Sequence, residues 1–279
     1  MNLSSKSEIR RCRPLLGTFV EISAQGNAGL QEAVDAAFAA MEKIQNLLSA
    51  HDPASELSLL NREAAHRIVT VSRETYEVLR HADRLAVESK GAFDFTVAPV
   101  LARWGILPAT LACENAGNWR DVMLLRRRQV RFLRPLTLDL GGIAKGFAVD
   151  QAIEVLREHG VTSAVVNAGG DLRVFGAQPS TIHLRHPSQP QQFAHRIELD
   201  QAALATSSPC FTEKNVRGQR VSHLVDSLRQ TAITGAISVS VRAKECWLAD
   251  ALTKVVLNAP QLAQKILAKY GAEAFVLTA

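Results

Sequence analysis

A carboxylate, three glycines and a lysine lie within eight residues in the sequence DLGGIAKG, from Asp139 to Gly146. Backbone N–H groups next to glycine, a helix N-terminus and an ammonium group together suit a phosphate or pyrophosphate. Asp139, and Asp171 at the end of the nearby NAGGD segment, offer the carboxylate oxygens that a divalent cation prefers. The spacing therefore predicts a site for a nucleotide-type ligand with an accompanying metal ion.

The glycine-rich segment does not match the common nucleotide-binding motifs. A Walker loop needs G-x-x-x-x-G-K-[ST], but here Lys145 precedes Gly146 and no hydroxyl follows. The segment also lacks the G-x-G-x-x-G pattern of dinucleotide-binding folds. A P-loop or Rossmann-type site is therefore not indicated.

The composition is that of a globular protein. With 279 residues, 47% of them hydrophobic and 21% charged, the chain can bury a large core in one domain or in two intimate lobes. The net charge of +5 is spread, apart from one arginine cluster, and the 5% of aromatic residues argues against a base-stacking surface. The cluster (Arg126–Arg128, Arg131 and Arg134) lies on a hairpin-like pattern, which favours a solvated face. We therefore expect no nucleic-acid partner.

The cysteines and the N-terminal sequence bear on the compartment. Four cysteines without C-x-x-C or zinc spacing favour free thiols in a reducing environment. The N-terminal sequence lacks the apolar core of a secretory signal, and no apolar run approaches the ~20 residues that span a bilayer. We expect a protein without a transmembrane segment, cytoplasmic as written and periplasmic only if a leader has been removed. Residues 1–12 are expected to be flexible.

Helical and strand-like patterns alternate irregularly along the chain. Apolar spacing predicts helices over about 28–49, after Ser72, over 144–159, from about Trp247 and over 260–270. Short runs with a period of two predict strands, several of them in hairpin-like pairs. This order favours an α+β fold with mixed or antiparallel sheets packed with helices over a doubly wound parallel fold.

Eight segments, in order and covering nearly the whole chain, resemble the ApbE family, the FAD:protein FMN transferases. They are RPLLGTFVEIS (Arg13–Ser23), SAHDPASELSLLN (Ser49–Asn61), GAFDFTVAPVLARWG (Gly91–Gly105), DLGGIAKGFAVD (Asp139–Asp150), VVNAGGDLRVFG (Val165–Gly176), LATS (Leu204–Ser207), HLVD (His223–Asp226) and ADALTK (Ala249–Lys254). Each piece alone is weak, but the combination is specific. The resemblance implies a single ApbE-like catalytic domain over 1–279, with a T-fold-related architecture.

The resemblance also implies a reaction. Members of the family bind FAD and Mg²⁺, cleave the pyrophosphate, attach FMN to a Ser or Thr hydroxyl of a target flavoprotein and release AMP. The implied partner is therefore an acceptor flavoprotein with a flavinylation-type Ser/Thr site. Two alternatives are a FAD-binding carrier or regulator without transferase activity, and a FAD pyrophosphatase that gives FMN and AMP.

Position by position, the resemblance assigns roles to residues of this chain. His223 and Asp226 would lie at the reacting phosphate, where a histidine suits general-base catalysis. The metal would be held by the backbone carbonyl of Gly142 and the carboxylate of Asp250, with Thr253 as a nearby hydroxyl. The residues expected at the FAD site are Leu16, Ala92, Phe93, Asp94, Asp139, Lys145, Asn167, Gly169, Gly170 and Asp171.

Several of these residues have a purely structural alternative. Asp94 and Asp139 are common types in turns and helix caps, and Asp250 suits the N-terminal turn of a helix. The segment Asn167–Asp171 suits a tight turn between two strands. A histidine in a turn, as at His223, is usually exposed.

The chain departs from the family pattern at four places. The run HLVDSLRQ lacks the Pro and Gly that usually follow its aspartate, SSPCF (Ser207–Phe211) replaces an S-G-D-Y-like segment, and Leu16 replaces a methionine. The family's metal-binding threonine, four residues after Asp250, is Lys254, whose ammonium cannot ligate Mg²⁺ while protonated. Because the changes cluster in the segment Thr206–Gly235 while the FAD-side motifs persist, we interpret this segment as remodelled for a different protein substrate.

Overall fold

The computed structural model describes residues 7–26, 28–113, 116–210 and 212–279. The helices in these ranges are α1 (Leu30–Leu48), α2 (Glu56–Glu63), α3 (Arg73–Glu88), α4 (Ala98–Arg103), α5 (Ala144–Glu158), α6 (Cys246–Asn258) and α7 (Pro260–Tyr270). The strands are β1 (Ser7–Leu15), β2 (Thr18–Gly26), β3 (Val69–Thr70), β4 (Val122–Leu125), β5 (Gln129–Phe132), β6 (Ser163–Ala168), β7 (Asp171–Phe175), β8 (Ser180–Arg185), β9 (Phe193–Leu199), β10 (Ala203–Ser207), β11 (Lys214–Val216), β12 (Gln219–Val221), β13 (Val225–Asp226), β14 (Thr231–Ala232), β15 (Ile237–Ala243) and β16 (Glu273–Thr278).

A seven-stranded sheet organises the described part of the chain. Its strand order is β1-β2-β6-β7-β10-β15-β16, and every neighbouring pair is antiparallel. Strands far apart in sequence become neighbours: helices α1 to α5 and strands β3 to β5 lie between β2 and β6 in the sequence, and α6 and α7 lie between β15 and β16. The antiparallel sheet packed with helices confirms the predicted α+β class.

One face of the sheet is covered by helices α1, α5 and α6. The residues of β2 that point to this face, Val20, Ile22 and Ala24, alternate with more exposed neighbours, as a half-buried strand requires. Helix α1 contributes an apolar stripe at helical spacing that includes Phe38 and Met41, and it packs along α5. None of the helices in the described ranges is both long and apolar enough to cross a bilayer.

The hairpin of β8 and β9 covers part of the opposite face. A second apolar cluster lies there, in which Leu184 and Leu199 from the hairpin meet Leu172 and Leu204 from the main sheet. Strand β7 therefore lies between two apolar layers and all five of its residues are buried. It is this strand that carries Asp171 into the interior.

The N-terminal segment and the arginine cluster lie at the edges of the structure. Residues 1–6, half of the segment expected to be flexible, lie outside the described residues. Residues 7–12 belong to β1 and are paired with β2, from Ser7 opposite Gly26. Strands β4 and β5 form the expected hairpin, and Arg126–Arg128 at its turn are exposed, as predicted for a solvated face.

A buried aspartate joins α5, α6 and the sheet. The carboxylate of Asp150 accepts hydrogen bonds from the N–H groups of Cys246 (2.9 Å) and Trp247 (2.8 Å), the first two residues of α6. It also accepts one from the guanidinium of Arg173 on β7 at 2.7 Å. Because no side chain of α6 caps its own N-terminus, Asp150 supplies the acceptors that those N–H groups need.

Replacing Asp150 by Ala is expected to lower the free energy of unfolding by about 3–5 kcal/mol, because Arg173 would then be a buried charge without its partner. Urea denaturation followed by circular dichroism measures the loss. The matched control is Glu154→Ala, which removes the exposed carboxylate 3.6 Å from the same guanidinium and should cost less than about 1 kcal/mol. Equal losses in the two variants would contradict a structural role for Asp150.

Candidate active site

One cavity collects residues from five parts of the chain. Its wall comes from α4 and the segments on either side of it, the turn that opens α5, the end of β10, the segment around β13, and α6. The lining residues are Phe93, Asp94, Val97, Leu101, Ile106, Leu107, Asp139, Gly141, Gly142, Lys145, Thr206, Ser207, His223, Leu224, Val225, Ser227, Lys254 and Asn258. Five of the predicted FAD or metal residues (Phe93, Asp94, Asp139, Gly142 and Lys145) and the predicted base His223 are among them.

One side of the cavity is apolar. Val97, Leu101 and Val225 belong to a small buried cluster, against which Ile106 and Leu107 pack. These side chains form an apolar wall, and apolar walls of ligand pockets commonly contact the apolar parts of a ligand.

The other side of the cavity carries two lysines, each paired with a buried aspartate. Lys145, in the first turn of α5, forms an ion pair with Asp171 on β7, whose carboxylate is almost fully buried. Burial disfavours the charged ammonium, but the carboxylates of Asp171 and Asp250 outweigh that effect and raise the pKa of Lys145 above its ordinary value. Lys145 is therefore charged at neutral pH and reaches the cavity as a cation.

The second pair lies within α6. The ammonium of Lys254 contacts the Oδ1 atom of Asp250 and lies 3.1 Å from the backbone oxygen of the same residue. The Oδ2 atom of Asp250 accepts the N–H of Gly146 at 3.2 Å. Asp250 is fully buried, and both oxygens of its carboxylate contact protein groups.

Two glycines allow this arrangement. A Cβ on Gly146 would lie 2.3 Å from the carbonyl oxygen of Cys246, so only glycine lets α5 approach the start of α6 this closely. Gly142 lies beside the stem of Lys254, whose Cε would be 3.5 Å from an added Cβ. The glycines of the DLGGIAKG segment thus serve close packing as well as access to the cavity.

Asp94 and Asp139 line the cavity and also stabilise turns. Asp94 Oδ1 accepts hydrogen bonds from the N–H (2.7 Å) and the hydroxyl (2.6 Å) of Thr96. Asp139 Oδ1 accepts the N–H of Gly141 at 3.1 Å. Burial raises the pKa of both carboxyl groups. The structural alternatives for these two residues therefore hold, and a role in ligand binding is compatible with them.

His223 lies at the mouth of the cavity. Its Nδ1 atom is 2.5 Å from the hydroxyl oxygen of Thr212, and this hydroxyl also lies 3.2 Å from the backbone oxygen of Pro209. Desolvation, together with the positive charges of Lys254 and Lys145, lowers the pKa of His223 below its usual value. The imidazole is therefore neutral at physiological pH.

The predicted residues Asp226, Thr253 and Ala92 are among those that do not line the cavity. Asp226 accepts hydrogen bonds from the N–H groups of Leu228 and Arg229 and forms an ion pair with the Arg229 side chain, so it stabilises a turn. The buried hydroxyl of Thr253 bonds to Ser207 Oγ and to the backbone of Asp250, both at 2.6 Å. Ala92 is fully buried.

The remaining predicted FAD residues occupy two tight turns at one end of the main sheet. Gly169 and Gly170 join β6 to β7 with positive φ angles, and Asn167 Oδ1 accepts the Gly170 N–H at 2.9 Å. Leu16 lies in the turn between β1 and β2, also with positive φ. The alternative of a strand-to-strand turn holds for this segment, and none of these residues lines the cavity. Asp171, the last residue of this segment, does not line the cavity but forms an ion pair with Lys145, which does.

Three residues of the site were not identified from the sequence. Ser227 donates to the backbone oxygens of Gly91 (2.7 Å) and Ala92 (3.0 Å), and Asn258 donates to the Ala92 oxygen at 2.8 Å. The Oδ1 atom of Asn258 is buried and has no hydrogen-bond partner among the described residues. Thr212 orients His223. Ser, Thr and Asn are common surface residue types and belong to no motif here, so no signal in the sequence distinguishes these three. Phe211, the last residue of SSPCF, lies outside the described residues.

The expected Mg²⁺ ligands do not fit a divalent cation in this arrangement. Both oxygens of Asp250 are engaged, and the Thr253 hydroxyl points to Ser207. Among the described residues no group of three or more His, Cys, Asp or Glu side chains is placed to hold a metal ion. Of the three expected ligands, Gly142 is the one that lines the cavity. One backbone carbonyl does not provide the near-octahedral oxygen coordination that Mg²⁺ requires.

Comparison with known proteins identifies the family. The profile of the ApbE family matches residues 16–276. The chain belongs to the ApbE family. The FAD:protein FMN transferase of Vibrio cholerae is 30% identical over 232 residues, which cover 76% of this chain and 69% of that protein. The FAD:protein FMN transferase of Chlamydia pneumoniae is 29% identical over 276 residues, covering 94% and 84%. The resemblance inferred from the motifs is thereby confirmed.

Solved structures of the family share the fold. The ApbE protein of Thermotoga maritima superposes with a TM-score of 0.87 at 25% identity, covering 98% of this chain and 94% of that one. The apo form of the flavinyl transferase ApbE from Pseudomonas stutzeri superposes with a TM-score of 0.84 at 23% identity, covering 100% and 93%. The predicted ApbE-like architecture is confirmed over essentially the full length of the chain.

Replacing Gly146 by Ala is expected to destabilise the fold by about 1–3 kcal/mol, because the new methyl group would overlap the Cys246 carbonyl and separate α5 from α6. Urea denaturation measures the change. Gly142→Ala is the matched control, since its Cβ would meet only ordinary contacts at 3.5 Å and should change stability by less than about 1 kcal/mol. If Gly146→Ala were as stable as Gly142→Ala, the close helix contact would not be required.

Proposed function

We propose that the chain transfers the FMN moiety of FAD to a Ser or Thr hydroxyl of a partner flavoprotein and releases AMP. The observation that carries the proposal is a single cavity with an apolar wall, two ammonium groups and a neutral histidine. Membership of the ApbE family, with relatives that are FAD:protein FMN transferases, supports the same reaction.

The cavity suits the separate parts of FAD. The apolar wall around Leu101 and Val225 would take up an aromatic ring, and Lys145 and Lys254 would face the pyrophosphate. Backbone N–H groups at the start of α5, next to Gly142, add the positive end of the helix dipole.

His223 is placed to remove the proton of the acceptor hydroxyl. If the Thr212 hydroxyl donates to the Pro209 oxygen, it accepts from Nδ1–H of His223, and the free lone pair is then on Nε2. The hydroxyl oxygen of the acceptor bonds to the phosphorus of the FMN half while its proton passes to Nε2. The bond from that phosphorus to the bridging oxygen breaks, and AMP leaves with the bridging oxygen.

In this reaction the protein supplies position and charge. The ammonium groups of Lys145 and Lys254 stabilise negative charge that develops on the phosphate oxygens and on the leaving AMP. Mg²⁺, which the family resemblance led us to expect, would supply the same kind of charge stabilisation. Because Asp250 and Thr253 do not fit that ion, no step of the proposal depends on it.

In-gel flavin fluorescence tests the transfer. The purified chain is mixed with FAD and an acceptor domain that carries a flavinylation-type Ser/Thr site, and a denaturing gel is scanned for flavin. We expect a fluorescent acceptor band and the release of one AMP for each FMN that is attached. In His223→Gln we expect the rate of transfer to fall by about 10²–10⁴-fold. His183→Gln, a histidine on the β8–β9 hairpin away from the cavity, is the matched control.

Other outcomes identify the alternatives and would overturn the transfer. A dark acceptor band with free FMN and AMP would indicate a FAD pyrophosphatase, in which water takes the place of the hydroxyl. A dark band with intact bound FAD would indicate a carrier or regulator. No FAD binding at all would contradict the assignment of the cavity.

The pH dependence of kcat/KM reports the base in the free enzyme. Because the folded environment lowers the pKa of His223 from 6.5 to about 4, the neutral imidazole persists well below pH 6. The acid limb of kcat/KM is therefore expected near pH 4, well below the ordinary value of 6.5, and to be absent in His223→Gln. If His223→Gln instead removed an acid limb that lies above pH 6.5, the prediction would be contradicted, because the site would then raise the pKa of His223.

A further inference from the structure

Lys254 occupies the position from which the family pattern would bind a metal. It lies one helical turn after Asp250 on α6, and its ammonium contacts the Asp250 carboxylate while its stem lines the cavity. The lysine side chain is 19% exposed and the aspartate 1%, so the pair is largely shielded from solvent. The charge that Asp250 would give to a metal is thus already matched by a cation on the same helix.

A divalent cation at this carboxylate would have to displace the ammonium. Mg²⁺ sits about 2.0–2.1 Å from its oxygen ligands, which would place it next to Lys254, and the two cations would repel each other in a site with little water. The other oxygen of Asp250 is held by the Gly146 N–H at 3.2 Å, and the Thr253 hydroxyl is held by Ser207 at 2.6 Å. Two of the three expected ligands are therefore committed elsewhere.

The two lysines already form a cationic surface on the cavity wall. Lys145 is paired with Asp171 from β7, and Lys254 is paired with Asp250, so each buried carboxylate is neutralised from the cavity side. An ammonium group has three N–H donors. Lys254 directs two of them to Asp250, at the carboxylate and at the backbone oxygen, and keeps one for a second anion, whereas Lys145 directs one to Asp171. A pyrophosphate in the cavity would meet two such groups, which together supply the charge that a divalent cation would supply.

We propose that Lys254 takes the place of the divalent cation, so that this chain binds the pyrophosphate of FAD through Lys145 and Lys254 and needs no Mg²⁺. The proposal rests on the proposed function for the identity of the ligand. It separates this chain from the metal-dependent chemistry implied by the family resemblance, on the basis of one side chain and the contacts around it.

Equilibrium binding of FAD, followed by flavin fluorescence, tests the proposal without requiring turnover. Wild-type protein is titrated with FAD in excess EDTA and again in MgCl₂ at matched ionic strength. We expect the two dissociation constants to agree within about twofold. In Lys254→Thr, which restores the family's residue, we expect affinity in EDTA to fall about tenfold or more, and Mg²⁺ to recover it.

Three further variants separate charge from structure. Lys254→Arg keeps the cation and should bind FAD in EDTA within a few-fold of wild type, whereas Lys254→Met keeps the apolar stem and should lose about tenfold. Lys265→Thr, an exposed lysine on α7, controls for loss of general positive charge. Circular dichroism confirms that each variant is folded, and a rise in Tm on adding Mg²⁺ is expected for Lys254→Thr and not for wild type.

The results distinguish failure of this inference from failure of the proposed function. If wild type binds FAD only with Mg²⁺, or if Lys254→Thr and Lys254→Met bind FAD in EDTA as wild type does, the inference is overturned while FAD binding stands. If wild type binds FAD in neither condition, the proposed function fails and the inference fails with it.

Discussion

The close contact between α5 and α6 at Gly146 is the constraint on which the site depends. It brings the N–H of Gly146 to Asp250, and it lets Asp150 on α5 accept the first two N–H groups of α6. The same contact sets the start of α5, with Gly142 and Lys145, opposite the middle of α6, with Lys254. Without it the two lysines would not share one cavity wall.

Three buried carboxylates lie around this contact, and each has its own cation. Ionised carboxylates are costly to bury, and a partner of opposite charge with additional hydrogen bonds offsets much of that cost. Asp150 pairs with Arg173, and both are enclosed, so this pair serves structure. Lys145 and Lys254 instead reach the cavity from their buried partners, Asp171 and Asp250. The same physical requirement thus gives one structural pair and two pairs available to a ligand.

The sequence allowed prediction of much of the fold because the signals for it are local. The apolar spacing of α1, the Ser72 cap of α3 and the short period-two runs are each contained within a few residues. The antiparallel class followed from their irregular order. The pairing of residues 7–12 with β2 was not predicted, because it is a contact between strands that the pattern of polar residues does not show.

The candidate site could be predicted only in part. DLGGIAKG marked Lys145 and the glycines, but the partner of Lys145 is 26 residues away and Gly146 contacts a residue 104 positions away, which no local spacing reveals. Asp226 is of the expected type at the expected position, and Thr253 is one residue before the position of the family's threonine, yet Asp226 bonds within its own turn and the Thr253 hydroxyl bonds to Ser207. Asn258, Ser227 and Thr212 depend on tertiary contacts alone, so residue type gave no indication of them.

The segment between β10 and β15 differs physically from the rest of the site. Its strands form two-stranded hairpins, β11–β12 and β13–β14, outside the main sheet, and such hairpins have little stability of their own. They are held by a few contacts, such as Ser222 Oγ to the Ile233 oxygen at 2.7 Å and Ser227 Oγ to the Gly91 oxygen at 2.7 Å. This segment can therefore change while α5, α6 and their lysines keep their places.

That separation gives a physical basis for the hypothesis that Thr206–Gly235 is remodelled for its own protein substrate. Where the family pattern has Pro and Gly after the aspartate, Asp226 here closes the turn itself, through the N–H groups of Leu228 and Arg229 and an ion pair with the Arg229 side chain. The substitute turn keeps His223 at the cavity mouth and presents the exposed Leu228 and Arg229 outside it. The two lysines that would hold the pyrophosphate lie on α5 and α6, outside this segment, whereas the segment itself contributes Val225 to the apolar wall of the cavity. A change confined to the exposed turn at Leu228 and Arg229 can therefore alter the surface that meets the acceptor while the lysines and Val225 keep their places.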